Sequence, residues 1–290
     1  MLKASPIAAF VPPPAEFAGL RLDRPRIMGV VNVTPDSFSD GGETVVAAAA
    51  VERGLALAKE GADIIDVGGE STRPGASPVS VAEELVRVLS VVRELAAAGI
   101  RVSIDTRRAE VMEAAITAGV GIVNDITALT GDRRSLNVVA AAGVCVVLMH
   151  MQGEPRTMQL APSYRDAARD VYRWLADRVA ACEAAGIGRD RIAVDPGIGF
   201  GKTVAHNADI LARLGLYRDF GLAVVVGVSR KSFIARLSRD EPPQGRLPGS
   251  IAAGLAAVER GAHILRVHDV AATRQALTVW QAIVGAGQEK

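Results

Sequence analysis

The sequence predicts an α/β protein in which a (β/α)8 barrel occupies residues 25–290 as one domain, after an N-terminal extension over residues 1–24. Short apolar runs alternate with helical stretches, the helical stretches often end at a glycine, and polar residues follow nearly every apolar run. Alternating units of this kind indicate a parallel sheet. Eight units within about 265 residues fit the TIM-barrel architecture, which usually takes about 250.

The apolar runs are rich in Ile, Val and Leu without clean alternation, which is typical of parallel strands buried on both faces. The predicted strands cover residues 27–31, 64–67, 102–104, 122–123, 144–148, 192–194, 223–226 and 264–267. The predicted helices cover residues 43–60, 80–98, 107–118, 132–142, 164–185, 205–214, 231–259 with a break at 242–248, and 271–284. Glycines that suit left-handed helix ends precede several strands, namely Gly61, Gly99, Gly119, Gly143, Gly186 and Gly261.

An open doubly wound sheet is the alternative fold. The first strand-to-helix turn has no dinucleotide-type glycine fingerprint, and the polar residues follow nearly every strand instead of clustering at one switch point. Both observations favour the barrel.

The composition excludes several classes of protein. Hydrophobic residues make up 49% of the chain and the formal net charge is +1, so we expect a large core and neither nucleic-acid nor membrane-surface binding. The first two dozen residues lack a secretory pattern, and the chain has no apolar run of about 20 residues. Cys145 and Cys182 lie in apolar or helical runs and are expected to be free buried thiols in a reducing cytoplasm.

The stretch 191–203, RIAVDPGIGFGKT, shows how polar groups follow a strand. An apolar run ends on Asp195, and the glycines after it allow positive φ angles and close approach of a ligand to the backbone. The stretch resembles a phosphate-binding P-loop, but Pro196 occupies the position of the first glycine of that motif. Nucleoside triphosphate hydrolysis is therefore not expected.

Groups of complementary chemistry follow the other strands, and in a barrel these strand ends form one rim. A solvated strand end or a helix cap would explain any one of them, but not their convergence. Asp105, Asn124 and Asp195 offer acceptors that suit the adjacent N–H donors of an aminopyrimidinone edge, as in a pterin or guanine. Donors that suit a phosphate or pyrophosphate are Arg73, Arg266 and His268. With phosphate oxygens and water, Asn32 could hold Mg²⁺.

Two interpretations of Lys231 remain open. It could form a Schiff base, or it could be a charged hydrogen-bond donor to a ring carbonyl or ring nitrogen. The second is mildly favoured, because Arg230 and the nearby carboxylates would tend to keep Lys231 protonated. His150 and His206 have no partners at metal-ligand spacing, and no zinc site is expected.

Eight motifs in order resemble the dihydropteroate synthase family over about residues 26–284. They are NVTPDSFSDGG at 32–42, DVGGESTRPG at 66–75, SIDT at 103–106, VNDI at 123–126, HMQGEP at 150–155, DPGIGFGK at 195–202, GVSRKSF at 227–233 and RVHDV at 266–270. The resemblance implies condensation of dihydropterin pyrophosphate with 4-aminobenzoate to dihydropteroate, a folate-pathway step and sulfonamide target. It also implies a homodimer that meets through helices on the barrel wall.

The resemblance assigns roles to residues of this chain. The implied pterin site is Asp105, Asn124, Asp195 and Lys231, with Ile126, Met149, Phe200 and Gly227 as walls. The implied pyrophosphate site is Thr72, Arg73, Arg266 and His268. The aminobenzoate would contact Phe38, Pro74, Lys231 and Ser232, Mg²⁺ would bind Asn32, and Asp36 would stabilise a pterinylmethyl cation. The first two loops, rich in glycine, are expected to close over substrate.

Other functions make different predictions. A pterin-dependent methyltransferase barrel should lack the loop at 32–42, which is present. A catalytically inactive pterin-binding homologue should have lost Arg73, Lys231 or His268, and all three are present. An aldolase would use Lys231 as a Schiff base, which borohydride would trap.

Overall fold

The computed structural model describes residues 14–34, 43–72, 75 and 78–286, with the side chains of 43–45 excepted. Eight parallel strands close into a barrel in which each strand pairs with the next along the chain and the last pairs with the first. This confirms the predicted (β/α)8 barrel. Within the described ranges, no helix has the length and apolar character needed to cross a bilayer.

The barrel is preceded by a short antiparallel hairpin, β1 (Glu16–Phe17) and β2 (Leu20–Arg21). The barrel strands are β3 (Arg26–Asn32), β4 (Ile64–Gly68), β5 (Val102–Asp105), β6 (Ile122–Asp125), β7 (Cys145–Met149), β8 (Ile192–Asp195), β9 (Ala223–Val226) and β10 (Ile264–Val267).

The α-helices between and after these strands cover the outside of the barrel. They are α1 (Glu43–Lys59), α2 (Val81–Ala97), α3 (Ala109–Thr117), α4 (Ser135–Ala142), α5 (Ala167–Ala184), α6 (Val204–Ala212), α7 (Ser232–Leu237), α8 (Leu247–Glu259) and α9 (Val270–Ala286). Short 3-10 helices lie at Arg189–Arg191, Leu214–Phe220 and Pro243–Arg246. The break predicted near Pro242 separates α7 from α8.

Several strands extend beyond their predicted ends by one or two polar residues. Asn32, Asp105 and Asp195 are the last residues of β3, β5 and β8, and each is paired in register with a residue of a neighbouring strand. The apolar pattern ended before them because it registers only hydrophobic side chains. Polar side chains at these positions are therefore held by the rigid sheet and not by loops.

The lower end of the barrel is filled by one residue of the N-terminal hairpin. Phe17 is 1% exposed and lies in a cluster of inward-facing strand residues that includes Met28, Ile64 and Ile264. No role for the extension was predicted, because two strands of two residues show no periodicity. Residues 16–21 therefore cover the lower end of the barrel.

Asp63 joins the hairpin side of the molecule to the last helix. Its carboxylate accepts hydrogen bonds from Arg24 at 2.6 Å, from Arg274 at 2.7 Å and from the Ile27 amide at 2.9 Å. Burial raises the pKa of Asp63, but these hydrogen bonds and the charges of Arg24 and Arg274 outweigh burial and hold the pKa below its usual range. These contacts of Asp63 hold the chain in place at the start of β3.

Phe17→Ala should lower the free energy of unfolding by about 3 kcal/mol, because it leaves a cavity where the ring filled the barrel floor. Urea denaturation measures this change. Val86→Ala on α2 is the control, since Val86 is 54% exposed and its truncation should cost less than about 0.5 kcal/mol. A loss below about 1 kcal/mol in Phe17→Ala would show that the hairpin does not cover the barrel in solution.

Candidate active site

The strand register places Gly68 and three predicted site residues, Asn32, Asp105 and Asn124, at one level of the barrel. Asn32 pairs with Gly68, Gly68 with Asp105, and Asp105 with Asn124. A Cβ added to Gly68 would lie 3.4 Å from the Cβ of Asp105. Because Gly68 has no side chain, the side chain of Asp105 has room on this side. The predicted polar residues Asn32, Asp105 and Asn124 thus meet at the carboxyl ends of their strands.

A buried ion network links these residues across the barrel. Arg266 on β10 donates through Nε to Asp66 on β4 and through Nη2 to Asp105 on β5, both at 2.6 Å. Asn124 donates through Nδ2 to the same Asp66 oxygen at 3.0 Å. Asp66 is fully buried. The network fixes the side chains of both Asn124 and Asp105.

Arg266, predicted to contact pyrophosphate, pairs with carboxylates in this structure. Its guanidinium binds two carboxylates at the base of the site, and its side chain is 21% exposed. Its contact with a pyrophosphate stays a prediction. The immediate action of Arg266 in this structure is to orient Asp66 and Asp105.

The two predicted acidic residues of the site are costly to ionise. Burial raises the pKa of Asp105 to about 7, with further increases from Asp66, Asp125 and Glu84, while Arg266 lowers it. Burial likewise raises the pKa of Asp195, and the charge of Lys231 opposes this shift. A ligand that brings N–H donors to these carboxylates would favour their ionised form.

The loop after β8 approaches the β7 strand end too closely for side chains at two positions. A Cβ on Gly197, where φ is +66°, would lie 1.9 Å from the carbonyl oxygen of His150. A Cβ on Gly201, where φ is +61°, would lie 2.3 Å from the carbonyl oxygen of Gln152. The Gly197 amide also donates to Asp195 Oδ1 at 2.7 Å. These glycines let the loop press against the β7 side of the site while orienting Asp195.

Four successive carbonyls of this loop each accept a hydrogen bond from a side chain. Lys231 donates to Ile198, Gln159 to Gly199, Lys202 to Phe200 and Tyr164 to Gly201. Backbone groups outside regular structure need such partners when they are shielded from water. The loop is therefore built as a rigid part of the site.

Lys231 lies between this loop and the acidic residues. Its Nζ is 4.8 Å from the ring centroid of Phe200, a cation–π distance. A Cβ on Gly227 would be 3.6 Å from Nζ, so Gly227 leaves space beside the amine. Burial lowers the pKa of Lys231 to about 8, with Asp195 opposing and Arg266 reinforcing the shift. The structure thus brings Lys231, Phe200, Gly227 and Asp195 together.

The remaining predicted residues occupy different places around the rim. Met149 pairs with Asp195 in strand register, and both Met149 and Ile126 are buried. His268 Nδ1 is 3.2 Å from Ser229 Oγ, and its amide donates to the same oxygen. Thr72 and Asn32 are half-buried, and Ser232 is exposed at the start of α7. The predicted residues outside the described ranges are Asp36, Phe38, Arg73 and Pro74.

Asp66 and Lys202 were not among the residues predicted to form the site. Asp66 interrupts the apolar run of β4, and a carboxylate inside a buried strand needs a partner. This pattern is visible in the sequence. Lys202 was considered only as part of a failed P-loop match, and His150 only as an ordinary polar residue. The contact between Lys202 and His150 joins residues far apart in the chain, so the spacing of motifs does not predict it.

No group of three or more His, Cys, Asp or Glu side chains within the described ranges is arranged to hold a metal ion. Asn32, at the end of β3, offers a neutral amide oxygen beside the acidic residues. This donor set fits Mg²⁺ only if most ligands come from substrate and water, as is usual for Mg²⁺ bound to phosphates.

Comparison with known proteins places the chain in a class. The sequence profile of the pterin binding enzyme family matches residues 28–268. The fold and the strand-end site thus define a pterin-binding (β/α)8 barrel enzyme.

Comparison with individual relatives identifies the family within this class. Dihydropteroate synthase of Escherichia coli (strain K12) is 46% identical over 277 residues, 95% of this chain and 98% of that protein. The Xanthomonas albilineans dihydropteroate synthase structure with 4-aminobenzoic acid is 52% identical, with a TM-score of 0.86 over 91% of this chain and 94% of that one. The structure of that enzyme with 7,8-dihydropteroate is 50% identical, with a TM-score of 0.83 over 91% and 95%. The chain belongs to the dihydropteroate synthase family.

Arg266→Met should lower the free energy of unfolding at pH 8 by on the order of 3 kcal/mol, because it leaves buried carboxylates without their counter-charge. The pKa of Asp105 is about 7 with Arg266 present, and it should rise further in the variant. A raised native-state pKa stabilises the fold as pH falls, so the loss should be smaller at pH 6 than at pH 8.

Urea denaturation at both pH values measures this difference. The double variant Asp66→Asn with Arg266→Met is the control and should recover part of the loss at pH 8. An equal loss at pH 6 and pH 8 would contradict the electrostatic origin.

Proposed function

We propose that the protein joins (7,8-dihydropterin-6-yl)methyl diphosphate to 4-aminobenzoate, giving 7,8-dihydropteroate and pyrophosphate. The observation that carries this proposal is the convergence of Asp105, Asn124, Asp195 and Lys231 at the strand ends of one barrel. The Xanthomonas albilineans relative binds both 4-aminobenzoic acid and 7,8-dihydropteroate in its structures.

The pterin ring would lie deep in the barrel. Asp195 and Asp105 would accept hydrogen bonds from the amino group and ring N–H groups, and Asn124 would add a donor and an acceptor. Lys231 would leave the Ile198 carbonyl and donate to the ring carbonyl or ring nitrogen. Met149, Ile126, Phe200 and Gly227 would form the walls.

The diphosphate would lie toward the rim, where Thr72, Arg73 and His268 follow the strands. Arg266 would contribute positive charge from below. Positive groups around a diphosphate stabilise the negative charge that develops on it as the C–O bond breaks. Bound Mg²⁺, held by Asn32 together with diphosphate oxygens and water, would neutralise part of the same charge.

The bond-breaking step would leave a pterinylmethyl cation. The C–O electron pair departs with pyrophosphate, and the buried carboxylates favour the positive charge that spreads into the ring. Asp36 would stabilise this cation as well. The amine nitrogen of 4-aminobenzoate then forms the new C–N bond and loses its proton to solvent. An arylamine is sufficiently nucleophilic for this step without a strong base.

The aminobenzoate would lie against Phe38, Pro74, Lys231 and Ser232. The exposed Ser232 begins α7, and backbone N–H groups there would face the carboxylate. Sulfonamides resemble aminobenzoate in shape and charge, and we infer that they compete for this site.

We further propose a cytoplasmic homodimer. Helix α9 exposes Val279 and Ile283, which lie four residues apart on one face of the helix and are 55% and 69% exposed. A second copy of the chain would cover this apolar face. Both cysteines, Cys145 and Cys182, are free thiols, which suits a reducing compartment.

The direct test is pyrophosphate release by the purified protein with dihydropterin pyrophosphate and Mg²⁺, with and without 4-aminobenzoate. Release that needs both substrates, with dihydropteroate as product, is the expected result. Tight pterin binding without turnover would contradict the synthase reaction and favour an inactive pterin-binding protein.

Asp195→Ala should weaken pterin binding by about 100-fold or more, because it leaves buried ring N–H groups without an acceptor. Isothermal titration with dihydropterin lacking a diphosphate measures this affinity. Glu52→Ala, at an exposed carboxylate on α1, is the control and should bind normally. Unchanged affinity in Asp195→Ala would remove Asp195 from the pterin site.

The affinity for dihydropterin should depend on pH with a maximum between about 7 and about 8. Asp105, whose pKa is about 7, must be ionised to accept a hydrogen bond, so affinity should fall as pH drops below that value. Lys231, whose pKa is about 8, must be protonated to donate as a cation, so affinity should fall above it.

Binding titrations from pH 5.5 to 9.5 test this profile. Lys231→Met should lose the decline at high pH and keep the decline at low pH. A flat profile for the unmodified protein would contradict both assignments.

Asn32→Ala should raise the Mg²⁺ concentration for half-maximal activity several-fold, because one oxygen ligand is lost. Its affinity for dihydropterin without diphosphate, measured without Mg²⁺, should stay unchanged. An unaltered Mg²⁺ dependence would place the ion elsewhere.

A further inference from the structure

Lys202 is a buried amine that the proposed chemistry does not use. It follows the glycine-rich loop after β8, and the residue is 2% exposed. Its Nζ lies 2.9 Å from the Phe200 carbonyl oxygen, 3.3 Å from the His150 carbonyl oxygen and 3.0 Å from His150 Nδ1. The amine therefore bridges the loops that follow β7 and β8.

These three contacts use the full hydrogen-bonding capacity of Nζ. An ammonium would donate to all three acceptors. A neutral amine would donate to the two carbonyls and accept from Nδ1–H of His150. Burial lowers the pKa of Lys202, while Asp195 raises it. In either protonation state, no hydrogen or lone pair remains for a substrate.

The residues that Lys202 holds lie beside the proposed pterin site. Phe200 carries the ring that contacts Lys231 Nζ, and His150 directly follows Met149. The ring of His150 also makes an edge contact with Trp174, with centroids 5.0 Å apart. Lys202 thus ties one wall of the site to the other.

We propose that Lys202 is a positioning residue that sets the separation of the Met149 and Phe200 walls and thereby the affinity for the pterin ring. This inference rests on the proposed function, since it concerns the same site. Tyr164 also donates to a carbonyl of this loop, but at Gly201, which carries no side chain toward the site. Gln159 likewise donates to Gly199, which has no side chain, whereas Lys202 binds the carbonyl of Phe200, whose ring contacts Lys231, and the carbonyl of His150.

The test compares Lys202→Met with the unmodified protein. Methionine matches the apolar stem of the lysine side chain and removes the amine with its donors. The affinity for dihydropterin without diphosphate should fall about tenfold, which corresponds to about 1.4 kcal/mol. The KM for dihydropterin pyrophosphate should rise by a similar factor, while kcat at saturation should change less than about threefold.

Tyr217→Phe is the matched control. It also removes a buried hydrogen bond from a side chain to a backbone carbonyl, that of Tyr217 Oη to Ala168 at 3.0 Å, but on the outer wall. It should lower thermal stability and leave pterin affinity unchanged. Normal affinity in Lys202→Met together with lowered thermal stability would overturn the proposal and make Lys202 a purely structural residue.

Lys202→Gln covers the case in which Lys202→Met does not fold. It keeps a donor on a shorter side chain, and it too should bind dihydropterin more weakly than the unmodified protein; equal binding would overturn the proposal. Dihydropteroate formation by the unmodified protein is measured separately. Its absence would reject the proposed reaction, whereas the affinity comparison would still decide the role of Lys202.

Discussion

The pairing of Arg266 with Asp66 and Asp105 is the constraint on which the candidate site depends. It joins β10 to β4 and β5, strands that meet only because the sheet closes on itself. Removing one partner from such a pair leaves an uncompensated buried charge. These buried acidic residues are therefore compensated only in a barrel that is closed in register. The same closure places Asn124 against Asp66.

The opposite side of the site is held by hydrogen bonds to backbone and not by ion pairs. The loop after β8 gains its shape from glycines that permit contact with the β7 loop and from side chains that bind its carbonyls. Lys231 belongs to both halves, because it binds this loop and lies in the field of Asp195. Movement of its Nζ from the Ile198 carbonyl to a ligand would exchange one acceptor for another.

The sequence predicted the barrel and the strand-end positions well, because apolar runs and polar strand ends are local patterns. It missed the hairpin that carries Phe17, since four strand residues give no periodicity. It also missed Asp66 and Lys202, whose meaning comes from partners far away in the chain, Arg266 and His150. Local pattern shows which residues lie on the rim, whereas only the closed barrel shows which of them bind each other.

The placement of charge in the site predicts the orientation in which a substrate would bind. Asp105 and Asp195 lie deep and carry raised pKa values, because burial makes their ionised form costly. A pterin ring that donates to them would relieve this cost, whereas the carboxylates at that depth would repel a negatively charged diphosphate. The polar groups His268 and Thr72 lie in the connections after their strands. The ring is therefore expected to be bound inside with the diphosphate outward, which directs the reactive methylene toward the rim where the second substrate arrives.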